Sequence, residues 1–317
     1  MQAANLAFVF PGQGSQSLGM LAELGSEYSA VKSAFDEAST GAGVDLWVLS
    51  QRGPEADLNR TENTQPALLA AGVAVWRVWH ERGGPTPALL AGHSLGEYAA
   101  LVCAGVLGLR EAAALVAGRG RLMQAAVPPG VGAMAAILGG DDAQIAQVCA
   151  EVAEGEVVAP VNYNAPGQLV IAGNAAAVDR AIARLAELGV RKAVKLAVSV
   201  PSHCALMRGA AGELARKFDA ITWSLPKIPV IQNVEAKAYD NIEDIRDALA
   251  RQLYSPVRWT ESVQQLAALG ATRVAECGPG KVLTGLLKRI ERALDGRGIG
   301  APGDMTQALG EWSGESR

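Results

Sequence analysis

Gly92-His93-Ser94-Leu95-Gly96 sets one serine between two glycines in G-x-S-x-G order. A short apolar run, Pro87–Gly92, precedes it, and Leu95–Gly105 reads as a helix. A serine on such a strand-to-helix turn can act as a nucleophile: the glycines allow the sharp turn and keep Cβ atoms clear of it. Its Oγ then stands at a helix N-terminus, whose N–H groups and dipole favour developing negative charge. The five residues alone would also suit a plain Gly-Ser turn, so the strand before and the helix after carry the reading.

A serine hydroxyl needs a base to take its proton, and the chain has three histidines. His80 closes an apolar helix, Gln65–His80, and reads as a solvated C-terminal residue. His93 adjoins Ser94, and on a sharp turn successive side chains point apart, which suits lining the site better than acting as base. His203, in Val200-Pro201-Ser202-His203, lies where a strand gives way to a helix. Such positions collect at the ligand edge of α/β sheets, so His203 is the favoured base and His93 the alternative. No acid stands out as a third member, and a Ser–His dyad oriented by a backbone carbonyl is expected. Cys204 could be a nucleophile, but nothing near it in sequence lowers a thiol pKa, and it reads as a buried structural residue.

Pro11-Gly12-Gln13-Gly14-Ser15-Gln16 follows the first strand and fails as a dinucleotide fingerprint, because Ser17 occupies the third glycine position. As a loop presenting backbone N–H groups it suits an oxyanion hole, with Gln13 and Leu95 the natural pair. Arg119 and Arg121 lie two apart on one helix, so at most one faces inward, and spacing does not choose between them. An arginine facing a largely apolar pocket would bind a substrate carboxylate through a bidentate pair.

The elements that must position these groups alternate strand and helix. Leu6–Phe10 and Pro87–Gly92 read as strands, and Arg110–Ala126 as a helix stopped by Pro128-Pro129-Gly130. That alternation implies a largely parallel sheet covered on both faces. From about Val127 to Val200 the rhythm changes to β-α-β-β-α-β: strands Gly132–Leu138, Val157–Tyr163, Gln168–Ala172 and Arg191–Val198, with helices Asp141–Glu154 and Ala175–Leu188. This is the order of a ferredoxin-like unit, placed as an inserted subdomain. Later segments predict a helix Ser202–Phe218, a strand near Pro229–Asn233, helices near Asn241–Leu253 and Thr260–Leu269, a strand Thr272–Glu276 and a helix from Val282. The Gly-rich, weakly apolar stretch after Asp295 reads as a mobile tail.

Composition narrows the function. The chain has 317 residues, half of them hydrophobic and 19% charged, enough for a large buried core. A net charge of −4 gives no global basic surface for nucleic acid, so an anionic ligand must meet a local cluster of Arg and Lys. No apolar run reaches a membrane-spanning length, and no leader is expected from the first residues. The four cysteines, Cys103, Cys149, Cys204 and Cys277, have no metal-ligand spacing and read as reduced thiols of a cytoplasmic protein; no metal site is expected.

Seven segments, in order from residue 8 to about 290, resemble the malonyl-CoA:acyl carrier protein transacylases. They are Phe8–Gln16, Gly92–Tyr98 (GHSLGEY), Gly118–Gln124, Asn162–Gln168, Val200–His203, Gln252–Val257 and Glu276–Gly280. The resemblance implies an α/β-hydrolase-like catalytic domain (1–126 and 201–317) carrying a ferredoxin-like subdomain (127–200). It implies Ser94 as nucleophile, His203 as base, Gln252 as the residue whose carbonyl orients that histidine, and Gln13 and Leu95 as the oxyanion hole. Arg119 resembles the carboxylate partner, and His93 and Asn162 match positions lining the site. The implied reaction passes malonyl from malonyl-CoA to the phosphopantetheine thiol of acyl carrier protein in fatty acid biosynthesis, with no bound cofactor. A basic patch for an acidic carrier is expected from Arg191, Lys192, Lys195, Lys281, Lys288 and Arg289, on a chain expected to be a monomer. Rival readings are the malonyltransferase subunit of malonate decarboxylase, a stand-alone polyketide acyltransferase, a serine esterase, which has no use for a buried Arg119, and an inactive carrier-docking scaffold, against which the intact serine, histidine and arginine speak.

Overall fold

The computed structural model describes residues 2–190, 192–196 and 200–312. Strand β1 (Gln2–Phe10) holds the middle of a five-stranded parallel sheet. It lies between β2 (Thr86–Gly92) and β8 (Arg273–Glu276), with β7 (Val230–Ile231) and β9 (Asp295–Gly298) at the edges, in the order β7-β2-β1-β8-β9. Leu6 to Phe10 are buried without a break, as a strand covered on both faces requires. Alternate residues serve opposite layers. Leu6, Phe8 and Phe10 join the core under helices Ser29–Ala42, Thr61–Glu81, Gly96–Cys103 and Leu109–Ala126, whereas Ala7 and Val9 join the core under Trp259–Ala268 and Val282–Ile290. Phe8 packs edge-on against Trp76 and Trp79, at ring separations of 5.6 and 5.3 Å. Thr61–Glu81 is apolar nearly all round and correspondingly buried, with Thr64 to Val75 out of solvent.

A second sheet is four-stranded and antiparallel, in the order β4-β5-β3-β6, from β3 (Gly132–Leu138), β4 (Val158–Ala165), β5 (Gln168–Asn174) and β6 (Lys192–Lys195). With helices Asp142–Glu151 and Ala175–Glu187 it has the β-α-β-β-α-β order read from the sequence. The helices cover one face through Ile145, Val148, Val178, Ala181 and Leu185. Met134, Val161, Val170 and Ala172 on the other face pack against Cys204, the residue after His203. Hydrogen bonds tie β4 to the larger body, among them Tyr163 N–H to the Val257 carbonyl (3.0 Å), Val257 N–H to the Val161 carbonyl (2.8 Å), and Thr260 Oγ1 to the Tyr163 carbonyl (3.0 Å). The small sheet thus fixes the loop that carries the histidine.

The expected α/β architecture, a parallel sheet with a separate antiparallel one, is the fold observed. One expectation fails: residues 296–312 are not a loose tail, and 313–317 lie outside the described residues. β9 pairs with β8, and helix Pro302–Trp312 buries Met305, Ala308, Leu309 and Trp312. The glycines that suggested mobility serve close approach instead. A Cβ on Gly296 would lie 2.7 Å from Leu287 Cδ1, and one on Gly300 only 2.2 Å from the Gly278 carbonyl oxygen. The strand near Pro229–Asn233 shortens to Val230–Ile231, freeing Gln232 and Asn233 to turn their side chains inward. The strand Arg191–Val198 is seen at Lys192–Lys195, with Arg191 and residues 197–199 outside the described residues.

Candidate active site

Ser94 sits between β2 and helix Gly96–Cys103 with a left-handed backbone, φ 50°. The flanking glycines are required by distance. A Cβ on Gly92 would fall 2.0 Å from the Gly96 carbonyl carbon, and one on Gly96 2.0 Å from the Phe10 carbonyl oxygen. The His93 N–H donates to that same Phe10 carbonyl (3.0 Å), which pins the turn to the end of β1. Gly12 packs behind it, since a Cβ there would meet the His93 carbonyl oxygen at 2.6 Å. The Gln13 loop is therefore held beside the serine, braced by Gly14 N–H on Gln16 Oε1 and Gln16 Nε2 on Asn59 Oδ1, both 2.8 Å. Neither the Gln13 N–H nor the Leu95 N–H donates to an acceptor among the described residues.

His203 reaches Ser94 across the site. Its Nδ1 lies 2.7 Å from the Gln252 carbonyl oxygen and its Nε2 lies 2.7 Å from Ser94 Oγ. A carbonyl only accepts, so Nδ1 carries the proton and Nε2 accepts the Ser94 hydroxyl. The His203 backbone, φ 64°, is tied by its N–H to the Leu253 carbonyl at 3.0 Å. Gln252 and Leu253 close helix Ile242–Gln252, so one helix end holds both ring and backbone. His203 is buried, and burial together with the charge of Arg119 lowers its pKa to about 3 against the pull of the Gln252 bond. The imidazole is neutral and free to take a proton.

Arg119 is the arginine of the pair that faces inward; Arg121 is exposed. Its Nη1 donates to Gln65 Oε1 (2.8 Å) and its Nη2 to Gln252 Oε1 (3.0 Å) and, at 3.4 Å, to Ser94 Oγ. Its Nε has no partner among the described residues, and the Tyr98 ring lies 5.5 Å from the guanidinium carbon. Among the described residues no carboxylate is bonded to this buried cation. A guanidinium held by two neutral amides beside Ser94 keeps a charge with which an anionic group can pair.

His93 does not contact His203 by a hydrogen bond; its Nε2 meets Asn164 Oδ1 at 2.8 Å and its ring lies 5.6 Å from that of Trp259. Burial lowers its pKa. Asn162 stands on β4 two residues from Asn164, its Oδ1 buried without a hydrogen-bond partner among the described residues. Sequence reading missed Gln65, Gln232 and Asn233, and gave Glu97 and Asn164 no role. Glu97 is fully buried, and burial raises its pKa to about 7 against bonds from Gln232 Nε2 (3.0 Å) and Asn233 N–H (2.7 Å). The one available signal was a polar side chain inside or just after an apolar run. Cys204 is buried, its Sγ on the Pro201 carbonyl, and burial raises the thiol to about 11. His80, expected to be solvated, is half-buried and donates to the Trp76 carbonyl at 2.9 Å. Among the described residues no three His, Cys, Asp or Glu side chains cluster to hold a metal, and no helix is long and apolar enough to cross a membrane.

A serine on a glycine-bounded turn, a neutral histidine bonded to it and unpaired N–H groups alongside define an enzyme of serine acyl transfer. Residues 7–311 match the acyl transferase domain family. The chain is 56% identical over 303 residues to the malonyl CoA-acyl carrier protein transacylase of Salmonella typhimurium, spanning 96% of this chain and 98% of the relative. Its fold superposes with a TM-score of 0.98 on a malonyl-CoA:acyl carrier protein transacylase of Xanthomonas oryzae, 63% identical over 98% of this chain and 99% of that one. A malonyl-transacylase solved in complex with its type II PKS acyl-carrier protein matches at 0.95, with 53% identity over 97% and 99% of the two chains. The chain belongs to the acyl transferase family.

Proposed function

We propose that the protein transfers a malonyl group from malonyl-CoA to the phosphopantetheine thiol of an acyl carrier protein, through an ester on Ser94. The observation that carries this reading is Arg119, a buried cation with no carboxylate bonded to it among the described residues, 3.4 Å from the serine oxygen. The names of the close relatives agree with it. Ser94 Oγ attacks the thioester carbon while its proton passes to His203 Nε2. The developing oxyanion takes the N–H groups of Gln13 and Leu95. The carbon–sulfur bond then breaks, and CoA leaves with the proton from His203. The carrier's thiol repeats the sequence in reverse, giving its proton to His203 and releasing Ser94. His93 and Asn162 line the acyl pocket, and the Gln252 carbonyl keeps His203 in the accepting tautomer.

No metal or bound cofactor enters these steps, and the protein acts as a cytoplasmic monomer. An acidic carrier would meet exposed Lys192, Lys288 and Arg289. Lys195 and Lys281 offer less free charge, since each is paired, with Asp179 (2.6 Å) and Asp304 (2.8 Å). Arg191, part of the same expected patch, lies outside the described residues. The test is the intact mass after brief mixing with malonyl-CoA. One malonyl increment is expected on the native protein and none on Ser94→Ala; an unmodified native protein would overturn the acyl-enzyme.

A further inference from the structure

The Ser94 turn is held from beneath by one side chain with no part in the steps above. Asn233, fully buried just past β7, accepts the Ser94 N–H on Oδ1 (2.8 Å) and donates from Nδ2 to the Gly92 carbonyl (2.7 Å). Its own N–H is taken by Glu97 Oε2 (2.7 Å), and its carbonyl accepts the Arg258 N–H (3.2 Å). All four polar groups of Asn233 are thus committed, two of them to the residues that shape the turn. β7 pairs with β2 only as far as Ile231–Ala91, so the Asn233 amide extends the sheet across the point where β2 breaks into the serine turn. Without it, a non-glycine residue in the left-handed region would have its N–H unpaired, its turn held only at the carbonyl, which accepts from the Glu97 N–H and Gln252 Nε2, both at 3.1 Å.

We propose that Asn233 is a positioning residue that sets the direction of Ser94 Oγ toward His203 by clamping both sides of the nucleophile's turn. This rests on the reading of Ser94 as the acyl-accepting nucleophile. An amide is uniquely suited, because one group must accept and its twin must donate. Ionised aspartate fills the accepting role but sets a carboxylate oxygen against the Gly92 carbonyl. Protonated aspartate is an isostere that does both.

That difference gives a readout that plain destabilisation would not produce. Ionisable neighbours of position 233 are Glu97 on helix Gly96–Cys103, His93 on the turn and, through Ser94, His203 and Arg119. Arg258 contributes its backbone N–H while its guanidinium pairs with Glu261 (2.7 Å). Glu97, raised to about 7 by burial, titrates in the wild type too, so rates are taken relative to wild type at each pH. The experiment measures Ser94 acylation by malonyl-CoA in single turnover and, in parallel, labelling of Ser94 by a small fluorophosphonate. In the second reaction the serine oxygen bonds to phosphorus, fluoride leaves, and the serine proton passes through His203 to solvent. Asn233→Ala is expected to slow both reactions roughly 10- to 100-fold, the cost of a nucleophile misplaced by about an ångström, with KM for malonyl-CoA within about threefold. Asn233→Asp is expected to recover rate relative to wild type as pH falls from 9 to 6, while the Asn233→Ala ratio stays flat.

An Asn233→Ala enzyme with wild-type rates and only a lowered melting temperature would overturn the proposal. So would an Asn233→Asp ratio that does not rise toward acid, which decides the matter alone if the alanine variant does not fold. Labelling of wild-type Ser94 by the fluorophosphonate but not by malonyl-CoA overturns the proposed function and leaves Asn233 to be judged on the label. A serine that takes neither reagent overturns both.

Discussion

At Arg119 the chemistry depends on neutral partners. Had a carboxylate filled the roles of Gln65 and Gln252, the guanidinium would already be paired and an anionic acyl group would have to displace it. Two amides orient the fork and leave its charge unspent. Arg119→Ala should therefore switch acyl preference rather than abolish transfer: acylation by malonyl-CoA falls, while acylation by acetyl-CoA, measured by intact mass, holds or rises. A serine esterase would show no such change of preference. Gln65→Ala removes the acceptor at Nη1, 2.8 Å away, and leaves a buried donor unpaired. KM for malonyl-CoA should rise roughly tenfold, with the rate at saturation little changed, as expected when ground state and transition state lose the same contact. An unchanged KM would show that the Gln252 amide orients the arginine alone.

The elements differ in how openly their sequences declare them. Leu6–Phe10 and Pro87–Gly92 are unbroken apolar runs, because both strands are buried on two faces, and the β-α-β-β-α-β order was legible from alternating periodicities. Ser94 was legible because it stands at the end of β2, where an α/β sheet gathers its site, and His203 because the chain offers only three histidines. Arg119 was not separable from Arg121 by spacing, since helix phase is set by packing against Thr61–Glu81. Gln65 and Asn233 were hidden because a buried amide is written as one polar letter in an apolar stretch, and its partners lie 54 and 139 residues away. The C-terminal segment misled for a related reason: glycine that admits a neighbour's side chain is spelled like glycine that loosens a loop. Trp312 tests this. It is 5% exposed, its ring lies 6.3 Å from that of Trp79, and its Nε1 donates to Asp295 Oδ2 at 3.2 Å. Trp312→Ala should cost about 3–5 kcal/mol and lower the thermal midpoint. A mobile tail would leave that midpoint where it was.

Across the whole molecule, three buried titratable groups around Ser94 make stability depend on pH with opposing signs. His203 has its pKa lowered to about 3 by burial, then by Arg119, so below pH 6.5 the unfolded chain binds a proton that the folded one refuses. Its contribution is whole above pH 6.5 and is lost as pH falls toward 3; His93, lowered by burial, acts in the same direction. Glu97, raised to about 7 by burial, runs the other way: its contribution is whole below pH 4.5 and is lost as pH rises through 7. Between pH 4.5 and 6.5 the two partly cancel, and the wild-type profile alone would hide both. A difference between variants separates them, because Glu97 and His93 remain in each. The stability of wild type minus that of His203→Asn, from urea unfolding, should be largest above pH 6.5. It should narrow by about 1.4 kcal/mol for each pH unit down to 4.5. A difference that does not change with pH would mean that His203 is as easily protonated in the fold as in water. The same burial bears on catalysis, because Arg119 is one of the causes holding His203 neutral. Under the proposed function, a malonyl carboxylate seated on Arg119 would offset that charge and strengthen His203 as a base.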